Sequence, residues 1–331
     1  MAPDLEPHRP RLTAHCYRML GSLTDAEDAV QETLLRAWKA RDAFDGRAAV
    51  GTWLHRIATN VCLDALSGRS PRWRPIDSRP VGNTQEELRL RDRTHWLEPV
   101  PDLAAIPADD DPHEQAVQRE AIRLAFVAAL QFLPPRQRAA LLLMQVLNWS
   151  AAEVAETLEM SVAGVNSAVQ RARATLTERR AEQQLDRIVA LAAGDGAGVT
   201  GLTATQQTLV ESFVSAFEAY DVPRIITLLR DDVTLCMPPV DFWLQGHRDV
   251  GDWLSGRGIG CKGSVLVPTN ACGQVAFGQY RNGGAEPWAL VVLELDDERI
   301  TGMSYFLDTA TLFPRFGLPM SVDPVTANPA A

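Results

Sequence analysis

The stretch Ser150-Ala151-Ala152-Glu153-Val154-Ala155-Glu156-Thr157-Leu158-Glu159-Met160-Ser161-Val162-Ala163-Gly164-Val165-Asn166-Ser167-Ala168-Val169-Gln170-Arg171-Ala172-Arg173-Ala174-Thr175-Leu176 carries two runs of helical periodicity broken by one turn. Ser150 followed by Glu153 is a capping box, in which hydroxyl and carboxylate satisfy the free amides of a helix start, so a helix opens near Ala151. Val154, Ala155 and Leu158 recur at helical spacing, and Met160, Val165, Ala168, Val169, Ala172 and Leu176 continue the buried pattern past a break at Glu159-Met160-Ser161. The expected product is two short helices crossing at a tight turn, with the small Ala155 letting the second approach closely. Glu159 stands where such a turn usually places glycine. The face opposite the buried stripe carries Asn166, Ser167, Gln170, Arg171 and Arg173, side chains able to reach base edges and phosphates. Taken by itself the segment fits two readings, a DNA-binding helix-turn-helix and an ordinary helical hairpin with a solvated polar face.

Upstream, Thr24 to Thr33 begins a second capped helix, with Val30, Leu34, Ala37 and Trp38 as its apolar stripe and Asp28, Gln31 and Glu32 off that stripe. Phe44-Asp45-Gly46 makes a short loop, and a third helical run covers Thr52 to Leu66. Thr24 to Leu66 resembles region two of the extracytoplasmic-function sigma factors. Leu133-Pro134-Pro135-Arg136-Gln137-Arg138 through Leu176 resembles their region four, and the likeness spans roughly residues 10 to 180.

The resemblance implies a set of roles, position by position. Asp28, Gln31, Glu32 and Trp38 fall on the face that binds core RNA polymerase, and an acidic face suits a basic partner. Trp53 matches the aromatic that stacks on an unpaired base as the minus-ten element opens, and Asn60 matches a side chain that reads the duplex just upstream; for Trp53 the alternative is a core tryptophan. Arg56 belongs to the same minus-ten surface, and Arg56-Ile57 stands where housekeeping sigma factors carry a pair of melting aromatics, which implies weaker strand opening. Arg136, Asn166, Ser167, Gln170, Arg171 and Arg173 fall on the minus-thirty-five surface. His55 has no second histidine at metal-ligand spacing and is expected to be exposed or to face phosphate.

A net charge of −10 is unexpected for a DNA binder, and the segments explain it. Residues 1–70 carry 9 basic and 9 acidic side chains, 71–114 carry 6 and 10, 115–187 carry 9 and 7, and 188–331 carry 8 and 16. The acidity lies outside the DNA-facing parts, as expected of a factor that binds promoters only together with polymerase. No apolar run approaches a membrane span and no secretory signal is evident, so the expected location is cytoplasmic. Cys16, Cys62, Cys236, Cys261 and Cys272 lack metal spacing and are expected as free or buried thiols; neither metal nor cofactor is implied.

Five domains or linkers follow: region two over 8–70, an acidic Pro-rich linker over 71–114, region four over 115–185, a second linker over 186–203, and a further domain over 204–320. The first linker includes Trp96-Leu97-Glu98-Pro99-Val100-Pro101-Asp102 and the run Asp109-Asp110-Asp111; Trp96 and Leu97 suit either a docking role or chance packing. After the Gly-rich joint Ala193 to Gly201, helices are expected at Thr205 to Tyr220, Pro223 to Leu229 and His247 to Leu254. Strands are expected at Val233 to Met237, Ser264 to Val267, Gln274 to Tyr280, Trp288 to Leu295 and Ile300 to Leu307. Helices followed by a curved antiparallel sheet make an α+β domain. Met237-Pro238-Pro239, Trp243, Gly246-His247-Arg248 and Phe306-Leu307-Asp308 resemble the SnoaL-like cone, so the expected fold class is two all-α sigma domains followed by an α+β cone domain.

The resemblance implies a sigma factor with core polymerase and promoter DNA as partners, regulated in cis by the cone. The cone is also a candidate pocket for a small-molecule ligand, lined by Asp241, Trp243, His247, Tyr305 and Asp308, with catalysis there as the weaker possibility. The alternative from another class is a helix-turn-helix regulator fused to a ligand-binding or catalytic SnoaL-like domain, because fold does not establish chemistry.

Overall fold

The computed structural model describes residues 5–44, 46, 48–108, 110–179, 181–193 and 201–323; Asp45, Asp109 and 194–200 of the expected joint lie outside them. In chain order the helices of the first two-thirds are Arg9–Leu20 (α1), Leu23–Lys39 (α2), Val50–Leu66 (α3), Pro75–Ser78 (α4), Asp102–Ala105 (α5), Pro112–Ala121 (α6), Leu124–Gln131 (α7), Pro135–Gln145 (α8), Ala151–Leu158 (α9), Val162–Glu178 (α10) and Glu182–Ala192 (α11). Then come Ala204–Glu218 (α12), Val222–Leu228 (α13), Leu229–Cys236 (β1), Trp243–Gln245 (β2), His247–Ser255 (α14), Val265–Ala271 (β3), Gln274–Arg281 (β4), Glu286–Leu295 (β5), Ile300–Phe306 (β6) and Thr309–Arg315 (α15). Two compact units result, Met1–Trp73 with Leu97–Thr200, and Arg74–Trp96 with Gly201–Ala331.

The first unit is helical. Gly21 ends α1 in the left-handed region, at φ 69°, where its amide bonds the Tyr17 carbonyl at 2.8 Å. Ser22 caps α2 by accepting the Asp25 amide at 3.1 Å, so the helix starts just before the expected Thr24. The buried side of α2 is Ala26, Ala29, Val30, Thr33 and Ala37, whereas Trp38 is 58% exposed rather than part of the stripe.

Polar groups sit at the centre of this unit. The buried Arg138 guanidinium of α8 donates to Gln131 Oε1 at 2.7 Å, to the Gln131 and Leu133 carbonyls at 3.2 and 3.1 Å, and to the Met19 carbonyl of α1. Buried Arg18 donates to Gln118 Oε1 at 3.2 Å. Desolvation pulls both arginines down to about 10, which leaves them charged near neutral pH and held by neutral oxygens. Leu141, Leu142 and Leu143 of α8 are fully buried, each stabilising by roughly 2 kcal/mol through burial.

His55 is a correction to the sequence expectation. Its ring is buried, donating through Nδ1 to the Gly51 carbonyl at 2.8 Å and lying edge-on to His15, ring centroids 5.4 Å apart. A helix period that buries Leu54 and Ala58 carries His55 inward with them.

The second unit is a six-stranded sheet in the order β2-β1-β6-β5-β4-β3. All neighbours run antiparallel except β1 and β6, which pair in parallel, Leu235 with Met303 and Cys236 with Ser304. One face is packed with Phe213, Phe217, Ile225, Val250 and Trp253 from the helices against Phe277, Val291 and Met303 from the strands. The other receives α15, whose Phe313 meets Tyr280 at 5.2 Å.

Part of the segment expected as an extended linker belongs to this sheet unit. Leu90 bridges Val240, Asp241 donates its amide to the Arg89 carbonyl at 2.8 Å, and Arg91 donates its amide to Pro239 at 3.0 Å. Gly82 bonds the Trp243 carbonyl at 2.9 Å, and the Trp96 indole reaches the Pro239 carbonyl at 3.1 Å. Residues 79–96 thus cover backbone that the edge strand would leave open. The remainder, 97–114, packs in the helical unit, where Leu97 and Val100 are buried.

Candidate functional site

Helix α2 presents its acidic residues outward because small and aliphatic residues fill the other side. Asp28 and Gln31 are exposed, Glu32 is half-exposed and pairs with Arg36 at 2.7 Å, and the exposed Trp38 ring lies under the Arg41 guanidinium at 4.3 Å. Exposed Glu27 and half-buried Leu34 share this side. A macromolecular partner would meet one apolar ridge edged by carboxylates.

On α3, Trp53, Arg56 and Asn60 recur at three- and four-residue spacing and so share a face. Trp53 is half-buried and leans on Phe44, centroids 4.8 Å apart. Asn60 is exposed. Arg56 pairs with Glu156 at 3.0 Å, an ion pair between α3 and α9 of the same unit.

The turn of the helix-turn-helix forms with Glu159 in the glycine position. Glu159 takes the left-handed conformation, φ 52° and ψ 49°, and its amide bonds the Ala155 carbonyl as the C-cap of α9. Both halves of the Ser150–Glu153 box are made, and Ser161 caps α10 by accepting the Gly164 amide at 3.0 Å. Val165, Ala168, Val169, Ala172 and Leu176 are buried, so Asn166, Ser167, Gln170 and Arg171 face solvent. Arg173 turns back to Gln145 at 2.8 Å and Asp186 at 3.3 Å, while exposed Arg136 donates to the Leu158 carbonyl at 3.2 Å and closes the end of α9.

In the sheet unit the five candidate pocket residues have separate partners. Arg91 holds Asp241 at 2.6 Å and Arg93 holds Asp308 at 3.4 Å. The Trp243 indole donates to the Arg79 carbonyl at 3.0 Å. His247, half-buried, starts α14 3.5 Å from Asp231, and buried Tyr305 reaches only the Met303 sulfur, at 3.9 Å. Burial drives the Tyr305 hydroxyl far above the ordinary phenol range. Hydrogen bonds join none of the five to each other among the described residues. Sequence reading missed Arg91 and Arg93; the alternation of Arg89, Arg91 and Arg93 within an acidic segment was the available signal.

Among the described residues, no group of histidine, cysteine and carboxylate side chains is arranged to hold a metal ion, and no helix is long and apolar enough to cross a membrane. The five cysteines are free thiols, Cys261 half-buried and the rest buried.

Two surface helices and a helix-turn-helix in one unit define a class, and the comparisons agree. Residues 5–72 match Sigma-70 region 2 and residues 123–176 match Sigma-70, region 4. The chain belongs to the extracytoplasmic-function (ECF) RNA polymerase sigma factors. It is 44% identical over 324 residues to the ECF RNA polymerase sigma factor SigG of Mycobacterium tuberculosis, covering 96% of this chain and 83% of that protein. The crystal structure of the extracytoplasmic-function sigma factor SigJ of the same organism superposes with a TM-score of 0.61 at 21% identity, covering 96% of this chain and 99% of that one. The fold of helical sigma regions followed by a sheet unit is therefore shared along the chain. A SnoaL-like polyketide cyclase from Shewanella putrefaciens CN-32 is similar over 39% of this chain and 93% of its own, at 19% identity and a TM-score of 0.28.

Proposed function

We propose that the α2 face of Asp28, Gln31, Glu32 and Trp38 binds core RNA polymerase, that Trp53, Arg56 and Asn60 engage the minus-ten element, and that α10 with Arg136 engages the minus-thirty-five element. In this reading the sheet unit regulates initiation in cis without catalysis, and the protein acts in the cytoplasm beside its polymerase. The observation that carries the reading is the outward array Asn166, Ser167, Gln170 and Arg171 on a recognition helix capped by Ser161, in the same unit as an exposed acidic α2.

The Arg56–Glu156 pair adds a regulatory step. A side chain assigned to the minus-ten surface is engaged by the helix-turn-helix, so the free chain occupies a closed state, and polymerase or promoter shifts the population to an open one. The Arg91–Asp241 and Arg93–Asp308 pairs support a regulatory rather than an acid–base role for the sheet unit, since each carboxylate already has a cationic partner.

Initiation assays with purified core polymerase, followed by transcript-start mapping, test this. The full chain should direct specific starts, Trp53→Ala should spare closed-complex formation and impair opening, and removal of residues after Ala193 should raise promoter activity. Specific DNA binding by the chain alone, with no core-dependent starts, would favour a separate helix-turn-helix regulator.

A further inference from the structure

Helix α10 exposes more than the polar residues assigned to bases. Val162, its first residue, is 48% exposed, and Ala163 beside it is exposed as well. Neither serves the core, to which this helix contributes Val165, Ala168, Val169, Ala172 and Leu176. A β-branched side chain left in water at a helix start adds little to stability and is a poorer helix former than alanine. Ser161 fixes the backbone just before it by accepting the Gly164 amide at 3.0 Å, so Val162 is held outward on an ordered helix start.

Helical spacing sorts the exposed residues into two rows, Val162, Asn166 and Gln170 in one and Ala163, Ser167 and Arg171 beside it. From 162 to 170 the stripe extends about 12 Å, or roughly three to four base pairs along a groove. No Lys, Arg, Asp or Glu occurs within 162–170. Guanine is read by arginine or lysine on its O6 and N7, and cytosine by a carboxylate on its amino group; the stripe offers neither before Arg171. It offers two amides, each able to pair bidentately with adenine N6 and N7, and two apolar side chains that suit the thymine methyl. Neighbouring cations do not fill the gap, because Arg173 is engaged with Gln145 and Asp186, and Arg136 with the Leu158 carbonyl. Arg171 lies one turn past Ser167, away from the helix start that meets base edges, at a position suited to phosphate.

We propose that α10 reads its element as A·T pairs, with Asn166 and Gln170 taking adenine edges and Val162 with Ala163 packing on a thymine methyl where the helix start enters the groove. This rests on the assignment of α10 to the minus-thirty-five element. It makes Val162 a specificity-determining residue.

The test uses the full chain with purified core polymerase on promoters whose minus-thirty-five element is randomised. The most active templates should carry A·T pairs at consecutive positions. On such a template, uracil in place of the contacted thymine should lower initiation roughly fourfold, the worth of one buried methyl, and Val162→Ala should be indifferent to the exchange. 7-Deazaadenine facing Asn166 should cost about tenfold, a difference that Asn166→Ala should abolish. Both side chains are exposed, so the melting temperature of either variant should match that of the parent chain. Enrichment of G·C pairs, or an A·T preference indifferent to both base analogues, would overturn the direct reading and leave α10 at the element. Initiation that ignores the sequence of the element would overturn the assignment of α10 and the proposal with it.

Discussion

The helical unit and the sheet unit treat their functional polar groups in opposite ways. In the first, the residues assigned to partners lie largely on the outside of helices, while the charges at its centre, Arg18 and Arg138, are held by neutral oxygens. In the second, the candidate pocket carboxylates Asp241 and Asp308 are each matched with an arginine from 91–93. A surface that binds a macromolecule needs only exposure along a helix, which periodicity reveals. A pocket needs side chains from distant positions to converge, and a charge repeat elsewhere in the chain can claim them first.

The largest effect that would break this contrast is expected at Arg138. Arg138→Ala strands the oxygens of Met19, Gln131 and Leu133 in a buried site, and should cost about 3 kcal/mol or more. Because the loss is confined to the helical unit, hydrogen exchange should accelerate in α8 and remain unchanged in β5. Equal acceleration in both would show that the units do not unfold separately.

Acid should separate the units in the same direction. Burial pulls the folded-state pKa of His55 to about 4 from 6.5, and that of His15 well below 6.5. The unfolded chain therefore binds these protons first, so stability is full above about pH 6.5 and declines as pH falls, until His55 is protonated in both states below about 4. The His55 contribution amounts to about 3 kcal/mol across that window. Denaturant melts at several pH values should show the decline for the helical unit, and His55→Gln should make it shallower, leaving the part due to His15; a wild-type profile without slope would contradict a buried neutral ring.

Much of the fold was legible because it depends on local rules. The helix expected over Thr205 to Tyr220 is found at Ala204–Glu218, and the strand expected over Trp288 to Leu295 at Glu286–Leu295. What local rules miss is long-range pairing. The short strand β2, the parallel match of β1 with β6, and the bridge from Leu90 to Val240 each join segments whose own sequence carries no sign of the partner. His55 is the opposite case: its chemistry suits an exposed ring, but the helix period of α3 buries it beside Leu54 and Ala58.

Ser150 offers a smaller, sharper measurement on the helix-turn-helix. Its hydroxyl accepts the Glu153 amide at 3.3 Å while the Glu153 carboxylate accepts the Ser150 amide at 2.8 Å. Ser150→Ala should lower stability by about 1 kcal/mol. Promoter binding should then fall only as far as the folded fraction falls, since Ser150 is not among the side chains assigned to DNA. A loss of binding at temperatures where the variant is fully folded would give Ser150 a direct contact.

The smallest expected effect concerns the residue at which the sequence disagrees with its own motif. Glu159 adopts a left-handed conformation that costs a side-chain-bearing residue roughly 1 kcal/mol and costs glycine almost nothing. Capped helices on both sides hold it there, through Ser150 before and Ser161 after, so the turn is imposed by its flanks rather than by the turn residue. Glu159→Gly relieves the strain but adds freedom to the unfolded chain, leaving a net gain of about 0.5 kcal/mol. The variant should melt slightly higher and bind the minus-thirty-five element unchanged. A lower melting temperature would mean that the glutamate makes a compensating interaction in the folded state, and that the turn depends on its side chain as well as on its backbone.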